Sequence, residues 1–299
     1  MLGAVFNWDY SIHLVIIILI YGLLAQSFNL TFGMGRLFNL AHIAAYALGA
    51  YVTALGSMDL QLNFFSCMAG AALVAALFSL LVAGISTRLT NDYFAIGTLA
   101  FSSLVSAVLI NWKGVTRGVL GIPGIPRPVI AGKEITDNWE FLLLLATVFI
   151  VLQTFLFILY HGSFSRSLRA QAENNSSALA LGIDTGLVRS LSFVLSSSCA
   201  GVAGAFFAYY INYIDPSSFS FNESVLILSI VVIGRPGSFW GVLIATVLLV
   251  LLPEAIREVD YINSRPHILG PARQMLQALI LFGVVWINRS RLFPVQREV

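Results

Sequence analysis

Residues 11–32 read SIHLVIIILIYGLLAQSFNLTF, an apolar run with polar groups only near its two ends. A helix needs about 20 mostly apolar residues to cross roughly 30 Å of hydrocarbon, and this stretch is long enough. The residues before it, Met1 to Tyr10, carry no basic side chain of the kind that precedes the apolar core of a signal peptide. The run therefore reads as a retained membrane helix.

Similar runs follow at Leu37–Leu55, Leu62–Ile85, Tyr93–Asn111, Trp139–Tyr160 and Ser190–Ile211. Two shorter ones, Val225–Gly234 and Ser238–Pro253, are separated only by Arg235-Pro236-Gly237, and a last run covers Arg273–Asn288. The short pair reads as a tight hairpin or as a re-entrant pair shielded by the other helices. The expected fold is an all-α polytopic membrane bundle of about 8–10 spans, nine if the pair crosses twice.

Composition agrees with this class. Hydrophobic residues make up 58% of the chain and charged residues 10%, against about 25% charged in soluble domains. The net charge is +2 and the lysines are Lys113 and Lys133, which suggests no nucleic-acid partner. Cys67 and Cys199 lie in apolar runs and read as small buried hydrophobes. With the C-terminus placed in the cytoplasm, Arg36, Arg88, Arg166, Arg169, Arg189, Arg235, Arg289, Arg291 and Arg297 fall inside, nine of the 16 basic residues. That is a small positive-inside bias, and the basic C-terminal tail adds to it.

The 14 acidic residues all fall in expected loops or at span ends. Ion-coupled carriers commonly hold ionisable groups near the midplane, so gradient-driven transport is disfavoured. Small residues recur at helical spacing in two stripes: Ala41, Ala45, Gly49 and Thr53, and Ser196, Ala200, Gly204 and Ala208. Such stripes bring helix backbones together. One of them would otherwise face a translocation path lined by backbone and hydroxyls. Asn39, His42, Thr98, Ser102, Ser197 and Gly201 are the candidate path residues. His42 reads either as a ligand or, more simply, as a histidine satisfied by a backbone carbonyl. No second His or carboxylate stands at metal-ligand spacing from it. No HExxH, hydrolase triad or GxxxxGK[ST] loop is present, so the chain carries neither visible catalytic machinery nor its own ATP site.

The polar segment His161–Arg189 reads HGSFSRSLRAQAENNSSALALGIDTGLVR. Ser165 to Leu181 is helix-compatible, with Leu168, Ala172, Leu179 and Ala180 as one apolar face and Gly182 as the C-cap. This segment resembles the coupling segment of ABC importer permeases, in the version found in the branched-chain amino-acid permease family. The residues that carry the likeness are Arg169, Ala170, Glu173, Asn174, Ala178, Ala180, Leu181, Gly182 and Ile183, with Ser177 where alanine is common. Asn39-Leu40-Ala41-His42 through Gly49-Ala50-Tyr51 resembles that family's second-span signature. Asp92-Tyr93-Phe94-Ala95-Ile96 with Thr98-Leu99, and Gly121-Ile122-Pro123 with Pro126-Arg127-Pro128, resemble its M-type subunit. Val232 to Gly241 resembles a glycine-rich family segment but has Arg235-Pro236 where Gly-Leu is usual.

The resemblance implies one permease domain over residues 1–299, in the bacterial inner membrane, with the Arg166–Gly182 loop cytoplasmic. It also implies a homologous second permease, two cytoplasmic ATPase subunits that hold the ATP and Mg, and a periplasmic substrate-binding protein. Arg166, Arg169, Glu173, Asn174, Ala178 and Gly182 would then couple to the ATPases. Neutral or branched-chain amino acids are the expected cargo, with urea and short amides as the family alternative. An ATP-independent channel would explain the apolar spans but not the coupling-like loop.

Overall fold

A computed structural model describes residues 8–86, 91–130 and 132–257, with isolated helical positions between 275 and 286. The run at Arg273–Asn288, the C-terminal tail and its sidedness lie outside the described residues. The helices are α1 (Trp8–Asn29), α2 (His42–Met58), α3 (Phe64–Ser86), α4 (Asn91–Asn111), the short α5 (Lys113–Thr116), α6 (Asn138–His161), α7 (Ser163–Glu173), α8 (Asn175–Ala180), α9 (Thr185–Ile211), α10 (Phe221–Ile233) and α11 (Phe239–Arg257). Six helical stretches are long and apolar enough to cross a membrane: Trp8–Met34, Phe64–Gly84, Tyr93–Asn111, Asn138–His161, Thr185–Ile211 and Pro216–Ile233. With α2 and α11 they form an all-α polytopic bundle.

The long α9 is its centre and packs against α1, α2 and α3. The small residues explain how it fits there. A Cβ on Gly201 would lie 2.5 Å from Ala71 O of α3, and one on Gly204 would lie 2.8 Å from Ala50 N of α2. Ala41, Ala45, Thr53, Ser196, Ala200 and Ala208 are all buried. Both small-residue stripes therefore serve close helix contact. By contrast α3, α4 and α6 leave Leu77, Leu81, Leu104, Ile150 and Ile158 exposed, as a lipid-facing perimeter requires.

One end of the bundle brings Arg36, Arg166, Arg169 and Glu173 around the Pro236-Gly237 turn that follows Arg235. At the other end, Trp8 and Trp139 meet in a tilted arrangement with ring centroids 6.2 Å apart. There β1 (Ile122–Pro123) pairs antiparallel with β4 (Tyr213–Ile214), and β2 (Val129–Ile130) with β3 (Lys133–Glu134).

Two helix starts differ from the sequence reading. The second span was expected from Leu37, yet α2 begins at His42. Thr98 Oγ1 donates to Ala95 O at 2.9 Å in its own helix and accepts a hydrogen bond from Leu40 N at 3.1 Å, and Asn39 Oδ1 accepts from Ala41 N at 3.1 Å. These side chains satisfy an irregular backbone segment that would otherwise coil into the helix. The first short run was expected from Val225, yet α10 starts at Phe221, after a 3₁₀ turn at Pro216–Phe219 whose N-cap is Asp215. At 13 residues, α10 is about 20 Å long and does not span the hydrocarbon without that turn.

Candidate functional site

The end of α1 and the turn after it bury a cluster of polar groups: Gln26, Ser27, Asn29 and Thr31. Beyond Asn29 the helix widens into a π-turn at Leu30–Met34, a local distortion common at functional positions. The break between α10 and α11 docks there. Asn29 Oδ1 accepts from Gly237 N at 2.8 Å, Asn29 Nδ2 donates to Ser238 O at 3.2 Å, and Gln26 Nε2 donates to Phe239 O at 2.6 Å. Two α1 amides thus satisfy the backbone groups that the break leaves open, as a non-helical segment at membrane depth demands. Arg235, where the family usually has glycine, adopts φ +65 and Gly237 φ +82. The departure at Arg235-Pro236 leaves a left-handed turn rather than a different fold.

His42 joins three helices. Ser27 Oγ donates to Leu24 O at 2.8 Å, so the imidazole Nε2–H is the donor to Ser27 Oγ at 3.0 Å, with Leu24 O at 3.3 Å. Ser196 Oγ donates to Ser27 O at 2.6 Å and lies 3.4 Å from His42 Nδ1. His42 is thus held chiefly by hydroxyl groups, with the Leu24 carbonyl at the edge of reach. Among the described residues no group of three His, Cys, Asp or Glu stands close enough to hold a metal.

The candidate path residues do not share one surface. Asn39 and His42 line a narrow cleft with Phe28, Ile43, Ser224 and Ile227, between α1, α2 and α10. Thr98 is tied to the backbone before α2. Ser102 is half-buried one turn further along α4, Ser197 is buried beside Ser196, and Gly201 is packed against α3.

A residue missed in the sequence is Glu223. It was placed at a span end, yet Tyr21 Oη donates to Glu223 Oε2 at 2.8 Å, and Tyr21 lies midway along the stretch Trp8–Met34. The first-turn carboxylate of α10 thus reaches the middle of α1. The statement that every acidic residue sits in a loop or at a span end is corrected for this one. The buried hydroxyls of Tyr46 and Tyr51 have no hydrogen-bond partner among the described residues. Tyr46 shares an aromatic cluster with Phe207 and Phe219.

The Arg-rich end carries the segment from Ser163 to Gly182. It forms two helices rather than the single one expected. Asn174 is extended (φ −153, ψ 107), and its Oδ1 accepts from Ser177 N at 2.9 Å, so it ends α7 and caps α8. Gly182, at φ +80, closes α8: Gly182 N donates to Leu179 O at 3.0 Å and Ile183 N to Ala178 O at 3.1 Å. That pair of bonds is a Schellman stop, and the left-handed residue in it favours glycine. The buried face consists of Ser165, Leu168, Gln171 and Ala178. Leu179 and Ala180 were expected on that face but point outward, because the break at Asn174 resets the helical phase. Leu179 is 53% and Leu181 79% exposed, beside exposed Glu173, Asn174 and Gly182. Arg166 NH1 donates to His161 O at 3.3 Å, and Arg169 Nε lies 3.1 Å from Met34 Sδ.

Residues 11–285 match the protein family described as branched-chain amino acid transport system / permease component. The chain is 32% identical over 96% of its length to the high-affinity branched-chain amino acid transport system permease protein LivM of Salmonella typhimurium, covering 71% of that protein. It is 31% identical to LivM of Escherichia coli K12 over the same shares. The permease protein LivH of Salmonella typhimurium is 26% identical over 77% of this chain and 79% of LivH. No solved structure matches significantly.

Proposed function

The chain belongs to the branched-chain amino-acid transport permease family, as an M-type permease, and from that premise we propose that it forms one half of the membrane pathway of an ATP-driven importer in the bacterial inner membrane. A homologous permease would supply the other half, since the relatives include both LivM and LivH proteins. Residues 1–299 act as a single permease domain. Neutral and branched-chain amino acids are the cargo, received from a periplasmic binding protein.

The observation that carries this reading is the outward surface of α7 and α8. Leu179 and Leu181 are large apolar side chains exposed on a polar loop at the Arg-rich end, the end that the positive-inside bias places in the cytoplasm. Glu173, Asn174 and Gly182 border them, and Ala178 and Leu168 anchor the segment from beneath. Such a patch fits an apolar cleft on a cytoplasmic ATPase.

The path itself runs along α1 and α10. Glu223 with Tyr21, the Asn39–His42 cleft, and the Asn29-bound break at Gly237 form a polar succession toward the Arg-rich end. A break held by side-chain amides can shift without exposing backbone to lipid, which is what alternating access requires of it. The test is co-expression with the cognate ATPases, binding protein and second permease. Two ATPase subunits should co-purify per permease pair, and Leu179→Asp/Leu181→Asp should release them while the membrane pair stays intact. Stoichiometric ATPase retention by that variant excludes α8 as the docking element.

A further inference from the structure

At the Arg-rich end a cavity opens between α6, α7 and the start of α11, lined by Met34, Tyr160, His161, Ser165, Arg166, Arg169 and residues 237–240. Its chemistry is one-sided. Arg166 and Arg169 supply two guanidinium groups, and among the described residues neither has a carboxylate within salt-bridge distance. Glu173 lies beyond Arg169, in the adjacent cleft that also holds Arg36. Ser165 is 1% exposed and its Oγ has no hydrogen-bond partner, although it lines the cavity. The first amides of α11, Phe239 and Trp240, also lack partners among the described residues. Free N–H groups and the positive end of a 19-residue helix favour an anion.

The cavity is not simply aqueous. Trp240 on its rim is 66% exposed, and Ile244 and Leu248 continue the exposed stripe along α11 at one-turn spacing. On α6, Val151, Phe155 and Ile158 form a second exposed stripe, with Phe157 beside it. Phe157 and Phe239 meet with ring centroids 5.3 Å apart, so the two helices flank the cavity together. Guanidiniums and an interfacial tryptophan beneath two apolar stripes describe a ligand with an anionic head and hydrocarbon tails.

We propose that this cavity binds the phosphate headgroup of an anionic phospholipid, with Arg166 and Arg169 on the phosphate oxygens, Ser165 Oγ and the α11 amides completing the cradle, and the acyl chains lying along α6 and α11. A free phosphate ion shares the head chemistry but makes no use of the apolar stripes. Occupancy needs neither ATPase nor transported solute, so it is tested independently of the transport reading.

The full chain, purified in a mild detergent, is examined by native mass spectrometry with phosphatidylglycerol, phosphatidylcholine or inorganic phosphate. Phosphatidylglycerol should be retained at least about tenfold more than phosphatidylcholine. Millimolar phosphate should not displace it. Arg166→Gln/Arg169→Gln should lower phosphatidylglycerol occupancy about tenfold, the loss expected when charge-assisted bonds to a phosphate are removed. Equal retention of the two lipids, displacement by inorganic phosphate, or undiminished binding by the double variant would each overturn the proposal. Should that variant misfold, the wild-type chain decides. A phosphatidylglycerol bearing a photoreactive acyl chain should label peptides containing Phe157–Ile158 or Trp240–Ile244, and labelling confined to other helices would refute the assignment.

Discussion

Tyr21 donates its hydroxyl proton to the Glu223 carboxylate at 2.8 Å, tying the first turn of α10 to the middle of α1. A hydrogen bond to a charged group contributes roughly 1.5–3 kcal/mol. Tyr21→Phe should therefore lower stability by about 1–3 kcal/mol, read as an earlier unfolding midpoint in detergent. Glu223→Gln keeps an acceptor oxygen for Tyr21 and should fall within about 1 kcal/mol of wild type. Identical midpoints for Tyr21→Phe and wild type would show that the bond does not hold the helix.

Much of this architecture is legible from apolar run length, because each span must solve the same hydrocarbon problem alone. The close packing of α2 and α9 is legible too, since Gly49, Gly201 and Gly204 announce backbone contact whatever their partner. The start of α2 and the depth of Glu223 are not. Leu37 to Ala41 is apolar enough to continue a helix, but the hydroxyl of Thr98, 58 residues from Leu40, and the Asn39 amide claim its backbone. Glu223 looks terminal because its depth depends on Tyr21, 202 residues away. Within the coupling-like segment the stop at Gly182 was readable from one residue, whereas the break at Asn174 rests on a local cap that competes with an equally plausible continuous helix.

Gly204→Leu should destabilise the bundle far more than Leu191→Ala. A side chain at Gly204 meets Tyr46 O and Ala50 N at once, so α2 and α9 must separate. Overpacking of this kind costs about 1–3 kcal/mol or more. Leu191 is 42% exposed, and trimming it should stay within about 0.5–1 kcal/mol. Matching thermal midpoints of the two variants would contradict the packing described for α9.

Asp215 caps the turn before α10 and carries a pH signature. Partial burial pushes its carboxyl pKa up, but hydrogen bonds from Ser217, from the Ser218 hydroxyl and from Ser218 N outweigh it, and the net shift is downward. A depressed folded-state pKa contributes stability above the unfolded value, about 3.9 for aspartate, and loses it as pH falls through the folded value. Asp215→Ala should thus be less stable than wild type at neutral pH, by about 0.5–2 kcal/mol for a lost cap. The gap should be fully present above the unfolded value and close as pH falls through the depressed folded value. A gap that is constant or widens on acidification would mean that the ionised carboxylate is not the cap.

Glu173→Arg reverses a charge on the exposed edge of α7 without touching the buried anchors Leu168 and Ala178. It should leave the chain monodisperse and folded yet weaken ATPase association about tenfold, the scale of one lost favourable charge contact plus a new repulsion. Unchanged association, measured by pull-down with the cognate ATPases, would place the docking contact elsewhere on the Arg-rich end.

Transport should require ATP and should not run on an ion gradient alone. A gradient-driven carrier binds its ion together with the solute, near the midplane, using a titrating carboxylate or a set of open oxygens. Among the described residues Glu223 is the acidic group drawn into the depth of a span, and its carboxylate is engaged by Tyr21. Open carbonyls would be expected where α10 and α11 part, yet Ser238 O and Phe239 O there accept from Asn29 and Gln26. Sodium therefore finds these two carbonyls of the break engaged, and among the described residues a proton finds Glu223. The measurement is uptake into liposomes holding the assembled importer, with binding protein and a branched-chain amino acid outside. ATP inside should drive uptake, whereas an imposed proton or sodium gradient without ATP should not. Glu223→Gln adds a separate arm: it removes the titratable proton, so ATP-driven uptake by this variant should not vary with an imposed pH gradient any more than the wild type does. Uptake driven by a gradient without ATP, and abolished by Glu223→Gln, would make this chain a proton-coupled carrier instead.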